Sequence, residues 1–184
     1  GPASAATVNR PLGLAFDAAG NLYISENGAG ANRIRKVDLS GNISTFASAG
    51  ISGPAGICFD GSGNLYVANL GNHRVMKVTP GGTVSTYAGM AGGPAYSGDG
   101  GPATAALLFR PSGVAMDSSN NLYIATWGDS RIRKVDASGI ISTFAGSGST
   151  GFSGDGGPAS AAVLNKAYGV FYHAASNKLY VGDA

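Results

Sequence analysis

The sequence predicts an all-β fold of the β-propeller class, with three complete four-stranded blades and half of a fourth. Three observations predict it: one phrase recurs four times, a second phrase follows it each time, and no segment has the pattern of a long helix. Repeats of this length are typical of propeller blades. The blurred alternation of apolar residues also indicates that both faces of each sheet are covered, as they are when blades stack.

The first phrase is Pro11-Leu12-Gly13-Leu14-Ala15-Phe16-Asp17, and it returns at residues 54–60, 111–117 and, more loosely, 167–173. The second phrase, Gly20-Asn21-Leu22-Tyr23-Ile24, returns at 63–67, 120–124 and 177–181. Because turn-forming Asp, Gly and Asn separate the two phrases, each pair predicts a β-hairpin. Third and fourth phrases complete the first three copies, so the repeats span about 11–47, 54–88, 111–145 and 167–184.

Two inserts separate the later repeats, at residues 89–110 and 146–166. Each contains Ser-Gly-Asp-Gly-Gly-Pro-Ala, and proline followed by alanines predicts a single helical turn. Residues 1–6 match residues 157–162, so the chain is expected to begin inside such an insert and to form one segment over 1–184. Fourteen strands do not complete a ring of four blades, so further chain or another copy of the protein is expected to cover the exposed edge.

Apolar residues in the first two strands of each copy are expected to be buried between neighbouring sheets. They are Leu14, Phe16, Leu22, Ile24, Ile57, Phe59, Leu65, Val67, Val114, Met116, Leu122 and Ile124. Tyr23, Tyr66, Tyr123 and Tyr180 are expected at equivalent positions of the four copies.

The phrases resemble the NHL repeat: Gly-Val-Ala-x-Asp, then Gly-Asn-Leu-Tyr-Val-Ala, then Asn-x-Arg-Ile-x-Lys-Val. The resemblance covers nearly the whole chain and implies a propeller. It also implies a range of functions, since the family includes protein-binding scaffolds, sensor ectodomains, RNA-binding platforms and some lyases. A fold alone does not choose among them. The inserts are similar to those of long NHL arrays in surface or secreted proteins.

Composition narrows the function classes. The net charge of +2 is too small to indicate a nucleic-acid or membrane partner. No apolar stretch is long enough to insert in a membrane. The single cysteine, Cys58, forms no intramolecular disulfide and is interpreted as a small buried apolar residue in a strand.

Three residues are candidate binding residues. Trp127, the only tryptophan, is placed in a loop between second and third strands, where it either contacts a ligand or packs on a neighbouring blade. Glu26, the only glutamate, is a candidate for channel chemistry or a solvated loop residue. His73 is a candidate contact or a polar loop residue.

A metal site is not predicted. Enzymatic relatives of this fold place metal-binding histidines and acidic residues around the channel, whereas this chain has two histidines, His73 and His173, and no cluster with metal-ligand spacing. The aspartates are interpreted as turn residues because they follow the repeat. Asp99 and Asp155 of the inserts are the exceptions considered for calcium, but each loop offers one carboxylate.

Basic residues of the third strands leave a nucleic-acid alternative open. The stripe would consist of Arg33, Arg35, Lys36, Arg131, Arg133 and Lys134. No aromatic residues are interleaved with them for base stacking, and long basic side chains also cover apolar neighbours.

The sequence therefore favours a non-catalytic module for protein binding, adhesion or scaffolding in a larger, extracellular or cell-surface assembly. No cofactor is expected, and the partner is expected to be a protein or further copies of the chain. Asn42, in the only Asn-x-Ser sequon, is the expected glycosylation site if a eukaryote secretes the protein. The alternatives are a lyase or lactonase with a metal in the channel and, further, a nucleic-acid-binding platform.

Overall fold

The computed structural model of the protein describes residues 1–184 and confirms the all-β prediction. Fourteen strands form three four-stranded antiparallel sheets and one two-stranded sheet, and the strands of each sheet follow chain order. Blade 1 contains β1 (Pro11–Phe16), β2 (Leu22–Gly28), β3 (Ala31–Val37) and β4 (Ile43–Ala47). Blade 2 contains β5 (Pro54–Phe59), β6 (Leu65–Asn69), β7 (Arg74–Val78) and β8 (Val84–Ala88). Blade 3 contains β9 (Pro111–Met116), β10 (Leu122–Thr126), β11 (Arg131–Val135) and β12 (Ile141–Ala145). The half-blade contains β13 (Gly169–His173) and β14 (Lys178–Gly182).

The helical turns predicted for the inserts are present as single 3-10 turns at Ala103–Ala105 and Ala159–Ala161. Ala3–Ala5 forms the same turn, as its sequence match to the second insert predicts. Two further 3-10 turns precede third or second strands, at Leu70–Asn72 and Ala174–Ser176. Every helical segment of the protein has three residues, so none has the length and apolar character of a membrane-spanning helix.

In each complete blade, an aspartate that follows the first strand closes the turn between the first and second strands. In blade 2, Asp60 Oδ1 accepts hydrogen bonds from the backbone N–H of Ser62 and Asn64, both at 2.9 Å. Its Oδ2 accepts from the Asn64 amide at 2.8 Å and from the Tyr66 hydroxyl at 3.1 Å. The same set recurs in the other two blades, as Asp17–Asn21–Tyr23 and Asp117–Asn121–Tyr123. The turn role predicted for these aspartates is confirmed.

The first strands of neighbouring blades converge, and glycine makes the approach possible. A Cβ at Gly113 would lie 2.8 Å from the Tyr168 carbonyl oxygen, and one at Gly56 would lie 2.8 Å from the Gly113 Cα. At Gly13 the same atom would lie 2.3 Å from the Ala55 carbonyl oxygen. No real Cβ makes contacts this short, so the glycine of the first phrase sets how closely the blades stack.

The core lies between blades. Tyr23 of blade 1 packs edge-on against Phe46 of its own blade and Phe59 of blade 2, both with ring centroids 4.9 Å apart. Leu65 and Val67 are fully buried in the same cluster. Tyr23 is the second residue of β2, and Leu65 is the first residue of β6, the equivalent strand of blade 2. Because successive side chains of a strand point to opposite faces, one face of each blade packs on the next blade and the other face packs on the preceding one.

The burial predicted for blade 1 is wrong at two positions. Leu14 is 63% exposed and Phe16 is 67% exposed, whereas Ile57, which corresponds to Leu14 in blade 2, is 6% exposed. Leu14 and Phe16 lie on the side of blade 1 that would face a preceding blade, and no sheet packs on that side in this structure. The other blades match the prediction, with Phe59 and Met116 half-buried and the remaining residues buried.

Candidate functional site

The two ends of the blades differ in charge. We call the end at which first strands begin the Trp127 end, and the end with the aspartate-closed turns the hairpin end. Six basic side chains lie near strand ends at the Trp127 end: Arg10, Arg33, Arg74, Arg110, Arg131 and Lys166. Three carboxylates accompany them: Glu26, Asp129 and Asp183. The hairpin end instead carries five aspartates and four lysines: Asp17, Asp38, Asp60, Asp117, Asp136, Lys36, Lys77, Lys134 and Lys178. Positive charge is therefore concentrated at the Trp127 end.

Three of those basic residues have a left-handed backbone. Arg10, Arg110 and Lys166 each directly precede the first phrase of their repeat, and their φ angles are 49°, 53° and 58°. The fourth residue at this position is Gly53, with φ of 57°. An L-residue in this region costs about 1–2 kcal/mol that glycine does not. The proline that follows Arg10 and Arg110 adds to the strain, because it favours an extended conformation in the preceding residue.

Trp127 lies in the β10–β11 loop, as predicted, between two of these cations. The Arg110 guanidinium lies 5.2 Å from its ring centroid and the Lys166 ammonium 5.4 Å. The Trp127 backbone N–H donates to the Arg110 carbonyl at 3.1 Å. Trp127 is half-buried, while Arg110 and Lys166 are exposed. Cation–π attraction thus holds the indole and two charges together at the surface.

His73 reaches the same cluster from blade 2. Its Nδ1 accepts a hydrogen bond from the Arg110 backbone N–H at 3.1 Å, and its ring centroid lies 5.9 Å from that of Phe109. Partial burial, together with the nearby Arg110 charge, lowers the pKa of His73. A lowered pKa favours the neutral ring, and the hydrogen bond from Arg110 selects the tautomer in which Nδ1 is the acceptor. The structure therefore brings His73 and Trp127 to neighbouring positions.

Glu26 lies elsewhere, inside β2 and fully buried, so the solvated-loop interpretation is wrong. Its carboxylate pairs with Arg33, lies 3.6 Å from the Arg35 guanidinium, and accepts from the Asn9 backbone N–H at 3.0 Å. Burial alone would raise the pKa of Glu26, but these interactions outweigh it and the pKa is lowered. Asn69 occupies the equivalent position in blade 2 and accepts from Ser52 N–H at 2.6 Å. Both side chains hold the chain segment that enters the first strand.

The aspartate of the first insert lies in a turn, as predicted, and its side chain has a further role. Asp99 Oδ1 accepts from the Arg133 guanidinium at 2.5 Å, and its Oδ2 accepts from the Thr143 N–H at 3.0 Å and the Tyr96 hydroxyl at 2.7 Å. The Tyr96 ring also lies 4.6 Å below that guanidinium. These contacts join the first insert to blade 3. Asp155, the equivalent residue of the second insert, is exposed.

Arginines and lysines of the predicted stripe are engaged within the fold. Arg133 is fully buried, and Arg131 lies 3.4 Å from the Asp129 carboxylate. Burial raises the pKa of Asp129 despite that pair. The two lysines of the stripe lie over repeat tyrosines, Lys36 at 5.5 Å from the Tyr23 ring centroid and Lys134 at 5.8 Å from that of Tyr123. Lys77, at the same position of blade 2, lies 5.9 Å from the Tyr66 centroid.

The remaining candidates are dispersed. Asn42 is exposed in the turn before β4, and its side chain is free of hydrogen bonds. Cys58 lies within β5, as predicted, where burial raises the pKa of its thiol. His173 is exposed and bonds Ser176 at 2.8 Å. No three His, Cys, Asp or Glu side chains lie close enough together to hold a metal ion.

Sequence reasoning missed the basic residues that surround Trp127. A signal was present, because Arg10, Arg110 and Lys166 all stand immediately before the first phrase. The contacts of Arg110 and Lys166 with Trp127 could not be read from spacing, since Trp127 and Lys166 belong to different blades. The Asp99–Arg133 pair was missed for the same reason.

Sequence comparison bears on both the repeats and the first insert. A profile described as "NHL repeat" matches residues 52–77, and one described as "Teneurin NHL domain" matches residues 90–162. The chain belongs to the NHL-repeat β-propeller family. Among curated proteins, Teneurin-3 of Danio rerio is 51% identical over 53 residues, which is 29% of this chain and 2% of Teneurin-3.

Solved structures share the propeller fold at low identity. A protein of unknown function from Bacteroides thetaiotaomicron has a TM-score of 0.82 and 20% identity, over 95% of this chain and 44% of that one. A streptogramin B lyase has a TM-score of 0.68 and 15% identity, over 97% of this chain and 50% of the lyase. The NHL blades described above thus span about half the length of these structures. At such identities the likeness shows the fold alone.

Proposed function

We propose that this NHL propeller segment is a non-catalytic module that binds a protein partner in a larger, extracellular or cell-surface assembly. One observation carries the proposal. The aspartates and lysines of the repeat make structural contacts, whereas Trp127 and His73, which depart from the repeat, both lie beside the exposed Arg110 at one end of the blades. Large aromatic and arginine side chains at a partly exposed position are characteristic of protein contact surfaces.

The surface formed by the four first strands supports the same proposal. It borders a cavity of about 390 Å³, to which each first strand contributes three apolar residues. They include Phe16, Phe59, Met116 and Tyr172. Nearer the beginnings of the first strands, a second cavity is lined by glycines, small and aliphatic residues and Tyr168. Such a wall offers apolar contact and a few backbone groups, in contrast to the acid, base or metal ligands that lyase chemistry requires.

The placement outside the cell rests on the likeness to Teneurin-3 and on the exposure of Asn42. Mass spectrometry of the protein secreted by eukaryotic cells is the direct check. We expect a glycan on Asn42, because the turn leaves its amide accessible. Unmodified Asn42 throughout would count against secretion through that pathway.

Panning a displayed peptide library on the immobilised protein tests the binding function. The matched counter-target is the Trp127→Ala variant, with an unchanged Tm as the check that it folds. We expect enriched peptides that bind the wild type and lose binding to the variant. Peptides that bind both equally would remove the Trp127 cluster from the contact surface.

Elemental analysis and thermal unfolding test the lyase alternative. After dialysis against a chelator, we expect the protein to have the same Tm with and without added Ca²⁺, Mg²⁺ or Zn²⁺. A stoichiometric metal in the purified protein, with a Tm that rises on its return, would replace the binding proposal with an enzymatic one.

A further inference from the structure

The three left-handed basic residues form a feature that the fold itself does not require. Gly53 occupies the same position in blade 2 with the same backbone conformation, so the turn forms without a side chain. Glycine would relieve the strain at Arg10, Arg110 and Lys166, yet each carries a long cationic side chain. Strain of this kind at a surface position is a reason to look for a function of the side chain.

These cations also lack partners. Arg10, Arg110 and Lys166 form no ion pair in the structure, although carboxylates lie at the same end. Glu26 is occupied by Arg33 and Arg35, and Asp129 by Arg131. The third, Asp183, accepts hydrogen bonds from the Asn165 backbone N–H at 2.8 and 2.9 Å. The unpaired cations therefore lack compensating charge within the protein.

We propose that the Trp127 end docks an acidic polypeptide segment, whose carboxylates pair with Arg110, Lys166 and Arg10 while Trp127 provides the apolar contact. The inference rests on the proposed protein-binding function and names its partner by charge. The charge difference between the two ends orients the partner, because the aspartate-rich hairpin end offers no comparable surplus of cations.

A protein partner fits this surface better than a nucleic acid. Trp127 already has cations against its ring, so it offers no free aromatic ladder on which successive bases would stack. Apart from Arg74, the basic side chains of the third strands are engaged with Glu26, Asp129, Asp99 or the repeat tyrosines. A guanidinium with free N–H groups beside an indole suits the side-chain carboxylates of Asp and Glu.

The sole tryptophan makes the test specific. Intrinsic fluorescence of the protein, excited at the indole band, reports on Trp127 alone. We would titrate the full chain with decaglutamate, and in parallel with decaglutamine, decalysine and decathymidylate. The expected result is a saturable change with decaglutamate that weakens as salt is raised, and no saturable change with decalysine or decaglutamine.

Glycine variants supply the decisive comparison. Arg110→Gly and Lys166→Gly are each expected to weaken decaglutamate binding roughly tenfold or more, because each removes a charge-assisted contact. Their Tm is expected to stay unchanged or to rise, since the left-handed backbone is retained without strain. Lys178→Ala removes one exposed charge from the hairpin end and is the matched control, with unchanged binding expected.

Each other outcome overturns the inference in a distinct way. No saturable response to decaglutamate, or an equal response in the glycine variants, removes the acidic docking surface. Equal responses to decaglutamine and decaglutamate would remove the acidic partner and leave the protein-binding function standing. Tighter binding of decathymidylate than of decaglutamate at the same salt concentration would replace the proposal with nucleic-acid binding. Loss of library peptides from the Trp127→Ala variant tests the proposed function independently of all three.

Discussion

Asp99 of the first insert and Arg133 of β11 form an ion pair, with Oδ1 and Nη2 separated by 2.5 Å, that joins the insert to blade 3. Its arginine is fully buried, while the aspartate side chain is 36% exposed. In blade 2 the residue in the register of Arg133 is Met76, and no such insert precedes that blade. Blade 1 carries Arg35 in the same register, where the guanidinium lies beside Glu26 instead.

Removing the two partners one at a time should give unequal losses of stability. Asp99→Ala leaves a buried guanidinium without its carboxylate, and we expect it to lower the free energy of unfolding by about 2–3 kcal/mol. Arg133→Met introduces the residue that blade 2 uses, so we expect a smaller loss, and the double variant should resemble Arg133→Met. Urea unfolding measures all three.

Asp155→Ala is the matched control for this cycle, because it changes the equivalent residue of the second insert at an exposed position. We expect it to change stability by less than about 0.5 kcal/mol. Equal losses for Asp99→Ala and Asp155→Ala would contradict a stabilising role for the ion pair.

Acid should destabilise the fold through the hairpin aspartates. Burial alone would raise the pKa of Asp17, Asp60 and Asp117, but hydrogen bonds from the turn outweigh it and hold each pKa below 3.8. A carboxyl whose pKa is lower in the folded state stabilises above its unfolded pKa, and the stabilisation is lost as pH falls through the folded pKa. We therefore expect the Tm to be nearly flat from pH 7 to about 5 and to fall below about 4.

Asp60→Asn tests the assignment, because its amide would face the Asn64 amide that now donates to Asp60 Oδ2. We expect a loss of about 1–2 kcal/mol at pH 7 that shrinks as the pH falls below 4. A difference from wild type that is constant over the whole range would place the acid sensitivity elsewhere.

Glycine-to-alanine substitutions test how closely the first strands converge. Gly113→Ala would place a Cβ 2.8 Å from the Tyr168 carbonyl, and we expect it to cost about 1–3 kcal/mol. Gly169→Ala, at the same position of the half-blade, meets no atom within 4 Å and should be neutral or stabilising. Equal effects in thermal unfolding would show that the spacing between blades is not set by these glycines.

Equivalent apolar positions of blades 1 and 2 differ in burial, so their truncation should differ in its effect on stability. We expect Ile57→Ala to destabilise by about 2–4 kcal/mol, since Ile57 is 6% exposed. Leu14→Ala, at the equivalent position with 63% exposure, should cost less than about 1 kcal/mol. A large loss at Leu14 that depends on protein concentration would indicate that another copy covers this side in solution.

The sequence was sufficient for those parts of the fold that each repeat specifies by itself. Asp17, Asn21 and Tyr23 lie within seven consecutive residues, so their phrase predicts the hairpin and the turn role of the aspartate. Exposure of Leu14 could not be predicted in this way, because it depends on whether another sheet packs on blade 1.

The candidate site was predicted only in part, for a similar reason. Trp127 and His73 stood out as departures from the repeat, and the structure places both near Arg110. The unpaired state of Arg110 and Lys166 depends instead on which carboxylates other residues engage. Which carboxylates are engaged depends on contacts that form only when the blades pack together.

Amide hydrogen exchange with and without decaglutamate tests most directly whether the Trp127 end is the contact surface. We predict added protection in residues 105–110, 126–131 and 163–166, and none in the turns at 38–42 and 117–121 at the hairpin end. Protection confined to the hairpin end, or no change anywhere at saturating peptide, would contradict the account.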